Sequence, residues 1–260
     1  MENGNPAGGA APLQDAALHE PAAAALAQLL TATPRRGAEA LSSEPGLVAA
    51  LLEMLESADP QTISHALSVL RPAAAAGSPQ ATAALLEHGA PAAAVSLLRR
   101  GIHAAAAAAL LLSLPCKAEQ LAEAAPALLK HIDAASSDPP SGTALPTALA
   151  SLALLSRIEQ SSPGRARLLE LGAAGRLLAA LRLEEGPVEG HHRPPAAASG
   201  AARLQCLRTA VVGALLHLSV CAAGCRSIAA AGGLEKLPAL FNHSAGPTLP
   251  PQLNNALLAE

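Results

Sequence analysis

The chain has 260 residues, 51% of them hydrophobic, yet it holds one Phe and neither Trp nor Tyr. A net charge of −3 supplies no basic field for nucleic acid, and without aromatic residues there is no platform on which bases could stack. Four irregularly placed cysteines do not make a disulfide framework.

Most of the apolar content is Ala and Leu, the residues that lose least on entering a helix, while Val, Ile and Thr never alternate over a useful length. An all-α chain is expected. The longest apolar run, 104–114 broken only by Ser113, falls far short of the roughly 20 residues needed to cross a membrane. No Lys or Arg precedes Arg35, so neither a secretory signal nor an Arg-rich transit segment is legible. The expected setting is the cytoplasm or nucleus, with no membrane and no nucleic-acid partner.

Residues 1–13 read as a polar, disordered tail, and 14–260 as one domain. A helix is predicted over 15–31, capped by Asp15, with Leu18, Ala22, Leu26, Leu29 and Leu30 on one stripe. A short helix over 35–43 ends at the break Glu44-Pro45-Gly46, and another covers 47–55. Asp59-Pro60 supplies a cap and a first-turn proline for a helix to about Arg71, just before Pro72. Helices follow over 79–87, 92–100 and 102–114, the last stopped by Pro115. The pair 117–124 and 126–132 precedes a loop over 136–142. Further helices are predicted at 143–157, 163–171 and 176–183. A Pro-, Gly- and His-rich flexible insertion spans 184–201. Helices at 204–220, 225–230, 234–241 and 251–260 complete the chain.

The same sentence recurs: a short helix, a glycine, then a helix with an apolar face. It appears at 79–98 around Gly89, at 163–181 around Gly172 and at 223–240 around Gly232. Gly46 to Gly89 is 43 residues, Gly89 to Gly172 is 83 (two units), and Gly172 to Gly232 is 60 (one unit plus the insertion). A unit that cannot bury its apolar face alone must stack on its copies.

A short helix, a glycine, an apolar second helix and a longer third helix resembles the armadillo repeat, with HEAT repeats the nearest confusion. The residues that carry it are Leu85-Leu86-Glu87-His88-Gly89-Ala90-Pro91, Leu168-Leu169-Glu170-Leu171-Gly172-Ala173 and Ile228-Ala229-Ala230-Ala231-Gly232-Gly233-Leu234. The third-helix ends 66–70, 110–114 and 213–219 carry it too. The resemblance implies a right-handed α-α superhelix, a solenoid of about five three-helix repeats, binding a partner along its concave surface. Armadillo proteins that bind extended peptides set a Trp four residues before an Asn on the third helix. Here the Trp slots are read as Ser68, Leu110, Ala153 and Leu216, and the Asn slots as Pro72, Leu114, Arg157 and Val220. The ladder is absent, which weighs against a receptor for basic nuclear-localisation peptides.

Third helices line the inner surface in that family, so the resemblance makes Gln61, Ser64, His65, Ser68, His103, Arg157, Arg208 and His217 the expected partner-binding residues. The alternative is that they are ordinary solvated positions. The expected function is a protein-interaction scaffold or adaptor rather than an enzyme, with no cofactor. An Hsp70-type co-chaperone is the alternative. A metal-dependent protein built on His217, Cys221 and Cys225 comes third, set against the blander reading of packed thiols. The terminal helices lack a polar capping repeat, so self-association is expected through the C-terminal end near 249–258.

Overall fold

The computed structural model describes residues 33–137, 144–181 and 195–243, together with residues 25 and 28. The tail, most of the 15–31 helix, the heart of the 136–142 loop, residues 184–194 and the 251–260 helix lie outside the described residues. The described residues form 14 helices and no strand. The all-α expectation holds.

The helices are α1 (Pro34–Ser43), α2 (Pro45–Glu56), α3 (Pro60–Ala75), α4 (Pro79–Glu87), α5 (Ala90–Arg100), α6 (Ala104–Ser113), α7 (Ala118–Ala122), α8 (Ala125–Ser137), α9 (Ala144–Glu159), α10 (Ser162–Glu170), α11 (Ala173–Ala180), α12 (Pro195–Ser219), α13 (Ala222–Ala230) and α14 (Gly233–His243). Their packing is ordered by threes. The long helices α3, α6, α9 and α12 pack each on the next, and so do α2, α5, α8 and α11. The short helices pair as α1 with α4, α7 with α10 and α10 with α13. Between these rows lies a core of Leu, Ala, Val and Ile side chains running from Leu41 to Ile228.

Local chemistry explains most boundaries. Asp59 accepts from Gln61 N and Thr62 N with Pro60 behind it, the expected start of α3. Ser78 and Ser161 cap α4 and α10 by accepting from Ala81 N and Gly164 N. Leu114 is extended because Pro115 follows it, and α6 stops there as expected. Gly89, Gly172 and Gly232 turn the chain between short and apolar helices with φ of 82°, 68° and 81°. That region costs a Cβ-bearing residue about 1–2 kcal/mol.

A second pair of glycines does something different. Gly164 and Gly224 each stand three residues after a cap, Ser161 and Cys221, where a short helix crosses the end of a long one. A Cβ at Gly164 would collide with the Ile158 carbonyl, and one at Gly224 with the Leu218 carbonyl. Here glycine permits contact between two backbones rather than an unusual φ.

Several expectations require correction; among them, α8 runs to Ser137, five residues past the expected end at 132 and into the expected 136–142 loop. Gly46 has no positive φ and lies inside α2, which Pro45 begins at its first position; the break is Glu44 alone. Pro72 does not end α3, which runs on to Ala75. It stands in the last turns, where few bonds depend on it, and Ala73 and Ala74 behind it are buried. Helix α6 begins at Ala104, not Ile102, because His103 takes a left-handed conformation with φ 46°. Helix α9 starts at Ala144 and reaches Glu159, two residues past the expected end. Finally, residues 195–201 of the expected insertion are helical. Pro195 opens α12, and the Ala-rich stretch after it extends that helix N-terminally by nine residues beyond the expected start at 204.

Candidate functional site

The caps give the long helices a common register. Ser113, Arg157 and His217 each stand four residues before the residue that caps the next short helix, Lys117, Ser161 and Cys221. The positions four residues earlier hold Ala109, Ala153 and Gly213. Two of the expected slot pairs are therefore displaced. Leu110 and Leu114 are fully buried core residues one step out of register, and Leu216 and Val220 are three steps late. Ala153 and Arg157 hold the register counted from the caps. In α3 the burial pattern places Ser68 and Pro72 at the same level. At this register the row carries Ser68, Ala109, Ala153 and Gly213.

The structure divides the expected partner-binding residues into three kinds. Gln61, Ser64, His65 and Ser68 share one face of α3, with Gln61 exposed and the others half-buried. The Ser68 hydroxyl donates to the His65 carbonyl at 2.6 Å, so it faces its own helix. Their counterparts are Ile102, just before α6, and Ala105, Ala106 and Ala109 on it, so the polar face is not continued from α3 to α6. Arg208 and His217 lie far along the chain on α12, His217 exposed and Arg208 half-buried.

His103 and Arg157 are structural. His103 places Nε2 2.8 Å from the Pro60 carbonyl, tying the start of α6 to the start of α3. Arg157 spreads its guanidinium over the end of α6: Nη1 donates to Leu111 O and Leu112 O, and Nη2 to Leu114 O and Cys116 O, at 2.9–3.4 Å. The last carbonyls of a helix have no partner within it and carry its negative pole, so a cation there satisfies them.

Arg157 belongs to a set that sequence reading missed. Arg100 of α5 donates to Leu55 O and Ser57 O at the end of α2. His131 of α8 reaches Leu98 O near the end of α5. Arg165 donates to Glu159 O at the end of α9, and Lys236 to Ala231 O just past α13. The available signal was positional: in several units a basic residue stands where the next helix passes a preceding C-terminus.

Two concavities lie away from this row. A cleft of about 460 Å³ between α2 and α5 is lined by Glu53, Glu56, His88 and Ser96 among others. A neighbouring one of about 280 Å³ is bordered by Arg99 and Glu123, which form an exposed ion pair at 3.5 Å.

The metal-dependent alternative finds no support among the described residues. Among the described residues no three His, Cys, Asp or Glu side chains gather where they could hold an ion. Cys221 is an extended cap residue, so the i, i+4, i+8 spacing of His217, Cys221 and Cys225 does not run along one helix. Cys225 Sγ instead points to the Ser219 carbonyl at 3.0 Å. Among the described residues no single helix is long and apolar enough to cross a membrane; α4 and α5 pass only as a pair, bent by 65°.

One buried group stands apart. Glu159, the last residue of α9, is 1% exposed, and neither of its carboxylate oxygens has a hydrogen-bond partner. Burial pushes its carboxyl up to about 8, against the opposing pull of the Arg165 guanidinium. The buried Ser151 hydroxyl on the same helix is likewise unpartnered. Compared with known proteins, the chain matches no family model, no curated protein and no solved structure.

Proposed function

We propose that this protein is an intracellular interaction scaffold, an armadillo-like right-handed solenoid of about five three-helix units that binds a protein or peptide along its row of long helices. The observation that supports this most is the row itself. Helices α3, α6, α9 and α12 stack in sequence order and keep small or polar residues at one register: Ser68, Ala109, Ala153 and Gly213, flanked by Ser113 and His217. Such a surface leaves room for a partner's large side chains while supplying few of its own. Since interface energy concentrates in Trp, Tyr and Arg, the partner is expected to bring the aromatic anchors. Nothing at the level of residues favours the co-chaperone alternative.

The test is affinity capture from cell lysate by the wild-type chain and by a His65→Glu/His217→Glu variant, both matched for helicity. Arg157 is left intact because it holds α6. A partner captured by the wild type and reduced about ten-fold by the variant, roughly 1.4 kcal/mol of binding, is the expected result. Full retention of every partner would place binding elsewhere, with the cleft between α2 and α5 next to be tested.

A further inference from the structure

The joint between α9 and α10 holds a pair of ionisable groups that the next joint lacks. Two residues before the cap Ser161, Glu159 is buried with both carboxylate oxygens unpartnered. Four residues after the cap, Arg165 donates from Nη1 to the backbone carbonyl of that same Glu159 at 2.6 Å. Counting from the cap Cys221, the corresponding residues of the α12–α13 joint are Ser219 and Cys225. The Ser219 hydroxyl donates to Leu216 O at 2.7 Å, and Cys225 Sγ points to the Ser219 carbonyl at 3.0 Å. In both joints the side chain after the cap takes the same carbonyl. Only the first adds a buried acid beside a cation.

We propose that this joint is a proton-operated hinge: neutral Glu159 lies in the core with α10 closed on α9, and loss of its proton sends the carboxylate out to Arg165 and opens the joint. A carboxylate is costly to bury without a partner, so ionisation favours any position where it meets water or a cation. Arg165, half-buried and already bonded to the Glu159 backbone, is the cation within reach. The other helices packed on α9 offer no rival among the described residues. Helix α6 carries no ionisable residue. Glu119 of α7 and Lys130 of α8 are exposed, and His131 of α8 reaches Leu98 O. Asp133 pairs with Arg176, and Arg167 of α10 with Glu170. Helix α12 brings Arg208 and His217, and on α9 itself Arg157 is held by the carbonyls at the end of α6. Of all these, Arg165 is the one whose charge acts on the Glu159 carboxyl.

The joint cannot close further to fill the space the acid leaves. Gly164 already lies against the Ile158 carbonyl, where even a Cβ would collide. Helix α10 therefore moves away rather than inward. It also packs on α7, α11 and α13, so the hinge sets how one unit follows the next. Burial pushes the carboxyl up to about 8, so the joint is closed below that pH and opens as pH rises through it. The hinge is independent of what binds along the long-helix row.

Spin labels at Ala153→Cys on α9 and Ala166→Cys on α10, both exposed positions, read the hinge as a distance, with the four native cysteines replaced and helicity checked. One narrow distribution is expected at pH 6. At pH 9, where the ionised carboxyl outweighs the neutral one about ten-fold, a second and longer distance should appear. Glu159→Gln should keep the narrow distribution at both pH values. Arg165→Gln, which removes the partner of the ionised carboxylate, should move the change to higher pH, and Arg165→Lys should restore it. Amide exchange on the chain with its native cysteines gives the same reading without labels. The ratio of wild-type to Glu159→Gln rates over 165–170 should rise at least about ten-fold from pH 6 to 9 and stay near one over α3. A single unchanged distance at pH 9 would overturn the proposal. So would a second distance that also appears in Glu159→Gln, a transition indifferent to Arg165→Gln, or an opening accompanied by loss of helicity, which would be unfolding rather than a hinge.

Discussion

Replacing Arg157 with alanine should lower unfolding free energy by about 2–3 kcal/mol, the magnitude of charge-assisted bonds whose acceptors are left unpaired. Four carbonyls at the end of α6 share this one guanidinium, and they belong to a different unit from the arginine. The loss therefore falls on the contact between units as well as on the helix end. Arg157→Lys should recover only part of it, because a single ammonium cannot fork across carbonyls on both sides of Leu114. Urea unfolding of the three proteins reads this directly as a drop in midpoint at unchanged slope. A shift of less than about 0.5 kcal/mol, typical of a surface substitution, would show that water serves those carbonyls equally well.

Glu159→Gln should stabilise the protein, and by an amount that grows with pH. The folded carboxyl titrates near 8 and the unfolded one near 4.5. Between those values the unfolded chain releases a proton that the folded chain keeps. Wild-type stability contributed by this group is therefore complete below about 4.5 and is lost as pH rises through about 8. The full difference corresponds to roughly 3–5 kcal/mol at about 1.4 kcal/mol per pH unit. Glutamine keeps the shape and titrates nothing, so the gap between variant and wild type should be small at pH 4.5, widen to pH 8 and level off above it. Thermal or urea unfolding across that range reads it. A gap that does not change with pH would mean that the carboxyl is solvated.

What the sequence made legible was what local chemistry alone decides. The Asp59-Pro60 start, the left-handed Gly89, Gly172 and Gly232, and the stop before Pro115 each depend on a few adjacent residues. The failures share the opposite cause. Pro72 reads locally as a terminator, but burial of Ala73 and Ala74 carries α3 past it. Gly46 resembled the other turn glycines by spacing, yet Pro45 had already begun the helix. Leu110 and Leu216 fall out of step with the caps at Lys117, Ser161 and Cys221, because Ala- and Leu-rich helices offer several near-equivalent apolar stripes. Arg157 looked like a groove residue because its side chain is long and cationic. Its acceptors lie more than forty residues earlier in the chain, beyond any local pattern. Glu159 gave no signal, since an acidic residue at a helix end normally meets water.

The linear stacking of the long helices, on which the proposed binding row depends, can be measured as a distance. Gln61 of α3 and Cys206 of α12 are both exposed and hold the same register, seven residues before Ser68 and Gly213. Spin labels at Gln61→Cys and the native Cys206, with the other cysteines replaced, span three helix-to-helix steps. At 8–10 Å per step these labels should lie about 25–30 Å apart in one narrow distribution. A separation below about 20 Å, or a broad spread, would contradict a linear stack and with it the continuous binding row.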